Sequence, residues 1–212
     1  MAPDPVGSQV WYAGYGSNLT RERMLSYLVG GTVPGSSRAN AGARLAAPPS
    51  EVRSGWVDGR LHFAGEFGVW GAGGGAAFYD PEVAMDGGVA CRLYRIRTAQ
   101  LVDVVLQENG VDPREDPDHT ARLERALDEL LACEAQDLDL QADGLHPYDQ
   151  LHRRPATLAD GTEVEVILLG TGADLPPNPP PAEYRAIILR GLVEDVGLEP
   201  EAAERYLAAA GG

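Results

Sequence analysis

The order of apolar and polar segments predicts an α+β fold, with helices arranged around a curved or closed β-sheet. Short apolar runs bounded by glycine and proline dominate the first half of the chain, and such runs are typical of strands. Longer stretches with an apolar residue at every third or fourth position follow, and this spacing predicts amphipathic helices. The 212 residues suffice for one domain with a full hydrophobic core, or at most two small ones.

The element boundaries follow from these patterns and from the residues that interrupt them. Residues 10–15 predict a buried strand, and residues 20–29 predict a helix that Thr20 can cap. Residues 71–75 predict a glycine turn. The other predicted strands are residues 43–48, 52–56, 61–70, 76–79, 88–96, 151–158 and 164–169. The other predicted helices are residues 98–108, 119–140, 181–197 and 200–210.

Charge and composition exclude several classes of function. The formal net charge of −15 disfavours binding to nucleic acid and to anionic membranes. No segment approaches the roughly 20 apolar residues of a membrane span, and the first residues lack signal-peptide features, so we expect a cytoplasmic protein. The spacing of Cys91 and Cys133 fits no zinc or redox motif, and the four histidines are scattered, so we expect no metal.

A glycine-containing turn follows the first predicted strand and leads directly into a helix. Backbone N–H groups in such a turn point into one small volume, which suits a carboxylate or another developing negative charge. Gly16 lets the backbone approach closely, Ser17 adds a hydroxyl, and Asn18 tolerates left-handed torsions. From composition alone, a capped turn without a ligand is a better interpretation than a binding site.

Four stretches, in this order along the chain, resemble the γ-glutamylcyclotransferase-like family. Residues 11–19, WYAGYGSNL, resemble the signature strand and loop of that family. Residues 73–77 and 89–96 resemble its middle strands, and residues 101–110 resemble its helix with a catalytic glutamate. Residues 179–198, with Tyr184 and Gly191, resemble its final helix.

The resemblance implies a small mixed, barrel-like β-sheet with flanking helices, formed by residues 1–212 as a single domain. It also implies the cyclisation of a γ-glutamyl amide or peptide to 5-oxoproline with release of the amine, without cofactor, metal or water. A helical insertion near residues 112–145 is longer than in the smallest family members and leaves the choice of substrate open. The expected partner is a small γ-glutamyl compound, and the oligomeric state stays open, with a homodimer as one option.

The resemblance assigns roles to individual residues. Glu108 matches the catalytic glutamate, and its place at the end of an apolar helix suits proton transfer. The family usually has glycine directly after this glutamate, whereas here Asn109 intervenes before Gly110. Glu66 and Glu82 are the alternative bases. The residues implied to bind substrate are Tyr15, Gly16, Ser17, Asn18, Leu19 and Tyr148.

Other interpretations of the same residues remain open. The departure at Asn109 allows a non-catalytic member of this fold that binds a small ligand. The acidic segment at residues 119–140 is also compatible with a protein-interaction module. Ser17 is not in a G-x-S-x-G context, which makes a serine hydrolase a weak alternative. The glycines at residues 71–76 precede a strand rather than a helix, so they do not predict a dinucleotide site.

Overall fold

A computed structural model describes residues 8–70 and 73–211. The strands in chain order are β1 Gln9–Gly14, β2 Gly31–Thr32, β3 Ala39–Asn40, β4 Glu51–Val57, β5 Arg60–Ala64, β6 Ala76–Asp80, β7 Val89–Arg97, β8 Asp137–Asp139, β9 Gln150–Leu158 and β10 Glu163–Gly170. The α-helices are α1 Arg21–Val29, α2 Thr98–Glu108, α3 Pro117–Ala132, α4 Ala182–Arg190 and α5 Pro200–Ala210. A 3-10 turn, Gly16–Leu19, joins β1 to α1, a second one spans Gln141–Asp143, and a π-helical turn, Gly191–Val196, continues α4.

Five strands close into a barrel in the order β10-β1-β7-β4-β9, because β9 pairs back onto β10. Strand β1 runs parallel to β10, with Tyr12 opposite Ile167, whereas the other pairs within the barrel are antiparallel. The end of strand β9 pairs with β4, and its beginning pairs with β8. A separate hairpin of β5 and β6 packs beside the barrel. The predicted α+β fold with a barrel-like sheet is therefore confirmed.

Alternate residues of the barrel strands enter two different apolar clusters, as the two-residue period of a strand requires. On β1, Ala13 belongs to the cluster that also contains residues of α4 and α5, and Tyr12 belongs to the cluster formed with α2 and α3. Helix α3 contributes Leu123 and Leu127 to that second cluster. Helix α3 is thus packed against the barrel rather than extended from it.

Two predicted elements were wrong in part, and a third was wrong altogether. The predicted helix at residues 119–140 ends at Ala132, and residues 137–139 form the edge strand β8, where Asp137 bonds to His152. The predicted strand at residues 43–48 is a loop, because the Arg44 N–H donates to Asp103 instead of to a neighbouring strand. The predicted strand at residues 61–70 stops at Ala64, where Gly65 takes a positive φ of 71°.

The predicted glycine turn at residues 71–75 lies partly outside the described residues. No helix in the described part of the chain is both long and apolar enough to cross a bilayer.

Candidate active site

The turn between β1 and α1 is built by local sequence. Gly16 adopts a positive φ of 59°, which a side chain would strain, and a Cβ there would also lie 2.9 Å from the Tyr184 hydroxyl oxygen. The Thr20 hydroxyl accepts a hydrogen bond from the Arg23 N–H and so caps α1. The chain thereby turns sharply out of the barrel and directs Ser17 and Asn18 towards a cavity beside the turn.

This cavity has a volume of about 260 Å³ and opens between the turn, the end of α2 and the hairpin of β5 and β6. Its aromatic lining residues are Tyr12, Tyr15, Phe67, Trp70, Tyr148 and Tyr184. Its charged lining residues are Arg23, Arg38 and Glu108. Glu108 is therefore the only carboxylate among the described residues that line it. A cavity of this size and lining suits a small polar ligand.

The side-chain amide of Asn18, in the turn after β1, holds the carboxylate of Glu108. Asn18 Nδ2 donates to Glu108 Oε1 at 2.6 Å and also to the Tyr12 hydroxyl at 2.8 Å. The side chain of Glu108 is 11% exposed, and its Oε2 lies 3.9 Å from Arg23 Nη2. One carboxylate oxygen is thus fixed by a hydrogen bond from Asn18, and the other lies at ion-pair distance from Arg23.

Arg23 lines the cavity although its charged side chain is only 4% exposed. Its guanidinium carbon lies 4.5 Å from the ring centre of Tyr27 and 5.1 Å from that of Trp70, so two aromatic faces stabilise the cation. Its Nε and Nη1 atoms, together with Asn18 Oδ1, are buried with no hydrogen-bond partner among the described residues. Unpaired buried polar atoms are rare, and a cluster of them is typical of a functional site.

Tyrosine hydroxyls surround the carboxylate. Burial, and next the charge of Glu108, raises the pKa of Tyr12 and of Tyr27 well above the ordinary value. Burial is also the main reason why the pKa of Tyr15 and of Tyr148 is raised. These hydroxyls are therefore protonated and neutral at physiological pH. Those of Tyr15 and Tyr148 donate to the carbonyls of Leu169 and Ala77, whereas the Tyr12 hydroxyl accepts from Asn18 and keeps its O–H free to donate.

Asn109, the residue that departs from the family pattern, holds the segment that carries Tyr148. Its Nδ2 donates to the Tyr148 carbonyl at 2.8 Å and to the Val105 carbonyl at 2.9 Å, and its Oδ1 accepts from the Tyr148 N–H at 3.0 Å. The Tyr148 hydroxyl then donates to the Ala77 carbonyl at 3.0 Å. Asn109 thus joins the end of α2 to the loop before β9 and orients the Tyr148 ring towards the cavity.

The structure brings most of the predicted site residues together. The ones that line the cavity are Tyr15, Ser17, Asn18, Glu108 and Tyr148. Two predicted substrate-binding residues do not line it: Gly16 shapes the turn, and Leu19 is buried in the core, where it packs against Gly191. The alternative bases Glu66 and Glu82 also lie outside the cavity wall.

Sequence reasoning missed two cavity arginines. Arg23 lies in a helix between Glu22 and Met24, where a solvated ion pair is the usual interpretation. Arg38 lies in a loop without a recognisable pattern. Only the proximity of these loops and helices in space reveals either one. Within residues 8–70 and 73–211, no group of three or more His, Cys, Asp or Glu side chains is placed to hold a metal ion.

The closed barrel with its surrounding helices has a γ-glutamyl cyclotransferase-like fold. A solved γ-glutamyl cyclotransferase superposes with a TM-score of 0.52 and 18% identity, covering 95% of this chain and 88% of that one. A solved but uncharacterised human protein superposes with a TM-score of 0.53 and 17% identity over the same shares. At this level of identity, the likeness shows the fold.

The sequence comparisons add one curated relative. The chain is 29% identical over 208 residues to a protein of Arabidopsis thaliana named histone deacetylase 5. The alignment covers 93% of this chain and 30% of that protein, so the chain spans less than a third of its relative's length. No family model matches the chain.

Proposed function

We propose that the protein is a γ-glutamyl cyclotransferase, which cyclises a γ-glutamyl amide or peptide to 5-oxoproline and releases the amine. The observation that carries this proposal is the contact between Glu108 and Asn18, which places the only carboxylate of the described cavity wall 2.6 Å from the amide of the turn. Glu108 and Ser17, which lies in the first part of the 3-10 turn, line the same cavity. Intramolecular attack by an amine on an amide requires a base and hydrogen-bond donors in the same place.

In the proposed reaction, the α-amino nitrogen of the substrate attacks the γ-carbonyl carbon, and a five-membered ring forms. The attacking nitrogen loses a proton to Glu108 Oε2, the carboxylate oxygen that the Asn18 amide leaves free. The bond from the γ-carbon to the leaving nitrogen then breaks, and Glu108 returns the proton to that nitrogen. Product atoms equal substrate atoms, so no water, oxidant or reductant is consumed.

The negative charge that develops on the γ-carbonyl oxygen needs fixed donors. Gly16 and Ser17 begin a 3-10 turn, and the first N–H groups of a helical turn have no acceptor within it. The neutral Tyr12 hydroxyl accepts from Asn18 and therefore keeps its O–H as a further donor. Donors held in place before the reaction stabilise the transition state more than mobile water does.

The direct test is the release of free amine and 5-oxoproline from a panel of γ-glutamyl dipeptides, glutathione and γ-glutamyl amines. We expect turnover of at least one compound by the wild-type protein and a loss of about 10²-fold or more in the Glu108→Gln variant. The matched controls are Glu66→Gln and Glu82→Gln, which remove the same charge outside the cavity wall and should stay within a few-fold of wild type.

The outcomes separate the proposal from its alternative. If no compound is turned over, the cyclotransferase proposal fails. If calorimetry of the same panel then detects binding that Glu108→Gln preserves, the protein is a non-catalytic ligand-binding member of this fold. If Glu66→Gln or Glu82→Gln abolishes turnover and Glu108→Gln does not, the assignment of the base is wrong.

A further inference from the structure

Arg38 is the second cation of the cavity wall, and its position differs from that of Arg23. It is half-buried, directly before β3, whereas Arg23 is almost fully enclosed. Arg38 Nη2 donates to the carbonyl of Gln107, the residue before Glu108. A Cβ at Gly110 would lie 3.2 Å from Arg38 Nη1, so the glycine leaves room for the guanidinium at the end of α2. Arg38 therefore lines both this cavity and a second depression at the end of α2.

Arg38 makes no ion pair within the described residues, although Asp112 and Glu115 line a neighbouring surface depression together with it. No described carboxylate lies within ion-pair distance of it, whereas Arg44 and Arg114 in the neighbouring loops each pair with an aspartate. The Gln107 carbonyl and the partial negative charge at the C-terminal end of α2 hold the guanidinium in place. That single contact uses one of the five N–H donors of the side chain, and the others stay available.

The cavity thus carries two arginines and one described carboxylate, in a chain whose formal net charge is −15. A local excess of positive charge on an acidic protein favours an anionic ligand at this place. The contact with the Gln107 carbonyl holds Arg38 in place. It does not account for a cation in the cavity wall that makes no ion pair.

We propose that Arg38 binds a carboxylate on the leaving amine, so that the preferred substrates are γ-glutamyl amino acids or peptides rather than uncharged γ-glutamyl amines. This inference rests on the proposed cyclotransferase activity. The glutamyl part must lie against Glu108 and the turn at residues 16–18, next to the enclosed Arg23. The half-exposed Arg38 then lies beside the leaving amine of the substrate. A guanidinium can bind a carboxylate on that amine with two parallel hydrogen bonds.

The experiment compares γ-glutamylalanine with γ-glutamylalaninamide, which have nearly the same shape and differ by one negative charge. We expect wild type to prefer the acid by about tenfold in kcat/KM, which corresponds to about 1.4 kcal/mol. Arg38→Gln should lose that factor for the acid and change the amide by less than about twofold. Arg38→Lys should keep part of the preference, since it retains the charge but not the planar fork.

The control variant is Arg125→Gln, which removes the same charge from an exposed position on α3 outside the cavity wall. It should leave the preference for the acid unchanged. An equal fall for both substrates in Arg38→Gln would show that Arg38 only supports the structure and would overturn the inference. A wild-type enzyme that does not prefer the acid would overturn it as well.

A failure of the cyclotransferase proposal is distinguishable from a failure of this inference. If wild type turns over neither compound, binding of both to the Glu108→Gln variant is measured by calorimetry. Tighter binding of the acid by about tenfold, lost when Arg38→Gln is added, supports the role of Arg38 in recognising the carboxylate. Equal binding of the two compounds, or binding of neither, overturns it.

Discussion

The Asn109 side chain replaces the hydrogen bonds that a neighbouring strand would give to the backbone of Tyr148. It makes three hydrogen bonds, of 2.8, 2.9 and 3.0 Å, and two of them satisfy the N–H and the carbonyl of Tyr148. The third, to the Val105 carbonyl, is dispensable, because the backbone N–H of Asn109 reaches the same carbonyl at 3.3 Å. Removal of this side chain therefore leaves two partly buried backbone groups unpaired.

Two unpaired buried groups together cost about 2 to 6 kcal/mol. Because both groups are only partly buried, we expect Asn109→Ala to lower the free energy of unfolding by an amount in the lower part of that range, about 2 to 4 kcal/mol. A total stability of about 5 to 15 kcal/mol would still leave the variant folded. The assay is equilibrium unfolding in urea, followed by tryptophan fluorescence. The Tyr148 ring lies 5.0 Å from Phe78 and lines the cavity, so turnover should fall together with stability.

Asn109→Asp is the sharper version of the same test, because aspartate has almost the shape of asparagine. It retains an acceptor for the Tyr148 N–H but places a carboxylate oxygen opposite the carbonyls of Tyr148 and Val105, where asparagine has its donor. We expect it to be at least as destabilising as Asn109→Ala. An aspartate variant with wild-type stability would show that side-chain shape, not hydrogen bonding, holds this loop, and would refute the reasoning.

Two further predictions concern stability. Burial lowers the pKa of His152, and this effect outweighs the hydrogen bond to Asp137, which raises it. The unfolded chain therefore binds a proton at this histidine more readily than the folded chain does. The free energy of unfolding should fall as the pH is lowered from about 7.5 to about 5.5. His152→Gln should make that fall shallower in urea titrations at each pH, and equal slopes would contradict this. Leu127→Ala on α3 removes a fully buried side chain and should cost about 2 to 5 kcal/mol. The control is Leu131→Ala, at a partly exposed position on the same helix. Equal, small losses of unfolding free energy at both positions would show that α3 is not part of the cooperative unit.

Some features of the site were predictable because they depend on neighbours in sequence. The turn at residues 16–18 follows from a glycine that tolerates positive φ and a threonine that caps the next helix. Helix α2 follows from its apolar spacing, and it carries Glu108 on its last turn. The hairpin of β9 and β10 follows from two apolar runs joined by a short polar turn. The roles of Glu108 and the turn in catalysis stay predictions.

Other features were settled by contacts between distant parts of the chain. Residues 137–139 read as the end of a helix, but the free edge of β9 and the bond from Asp137 to His152 make them a strand. A short polar segment has little intrinsic preference, so the strand beside it decides its conformation. The loop at residues 43–48 is decided in the same way by Asp103, which takes the backbone N–H that a strand partner would need.

The sequence by itself determined the strand, turn and helix at the start of the chain, the helix that ends in Glu108, and the mixed composition of the fold. Each of these depends on torsion preferences and periodicity over a few residues. Only the tertiary structure decided that β1 lies beside β10, that Asn18 meets Glu108 across 90 residues of sequence, and that Arg38 reaches the same cavity. Barrel closure brings these residues together, and closure depends on pairing between segments that carry no local signal of their partner.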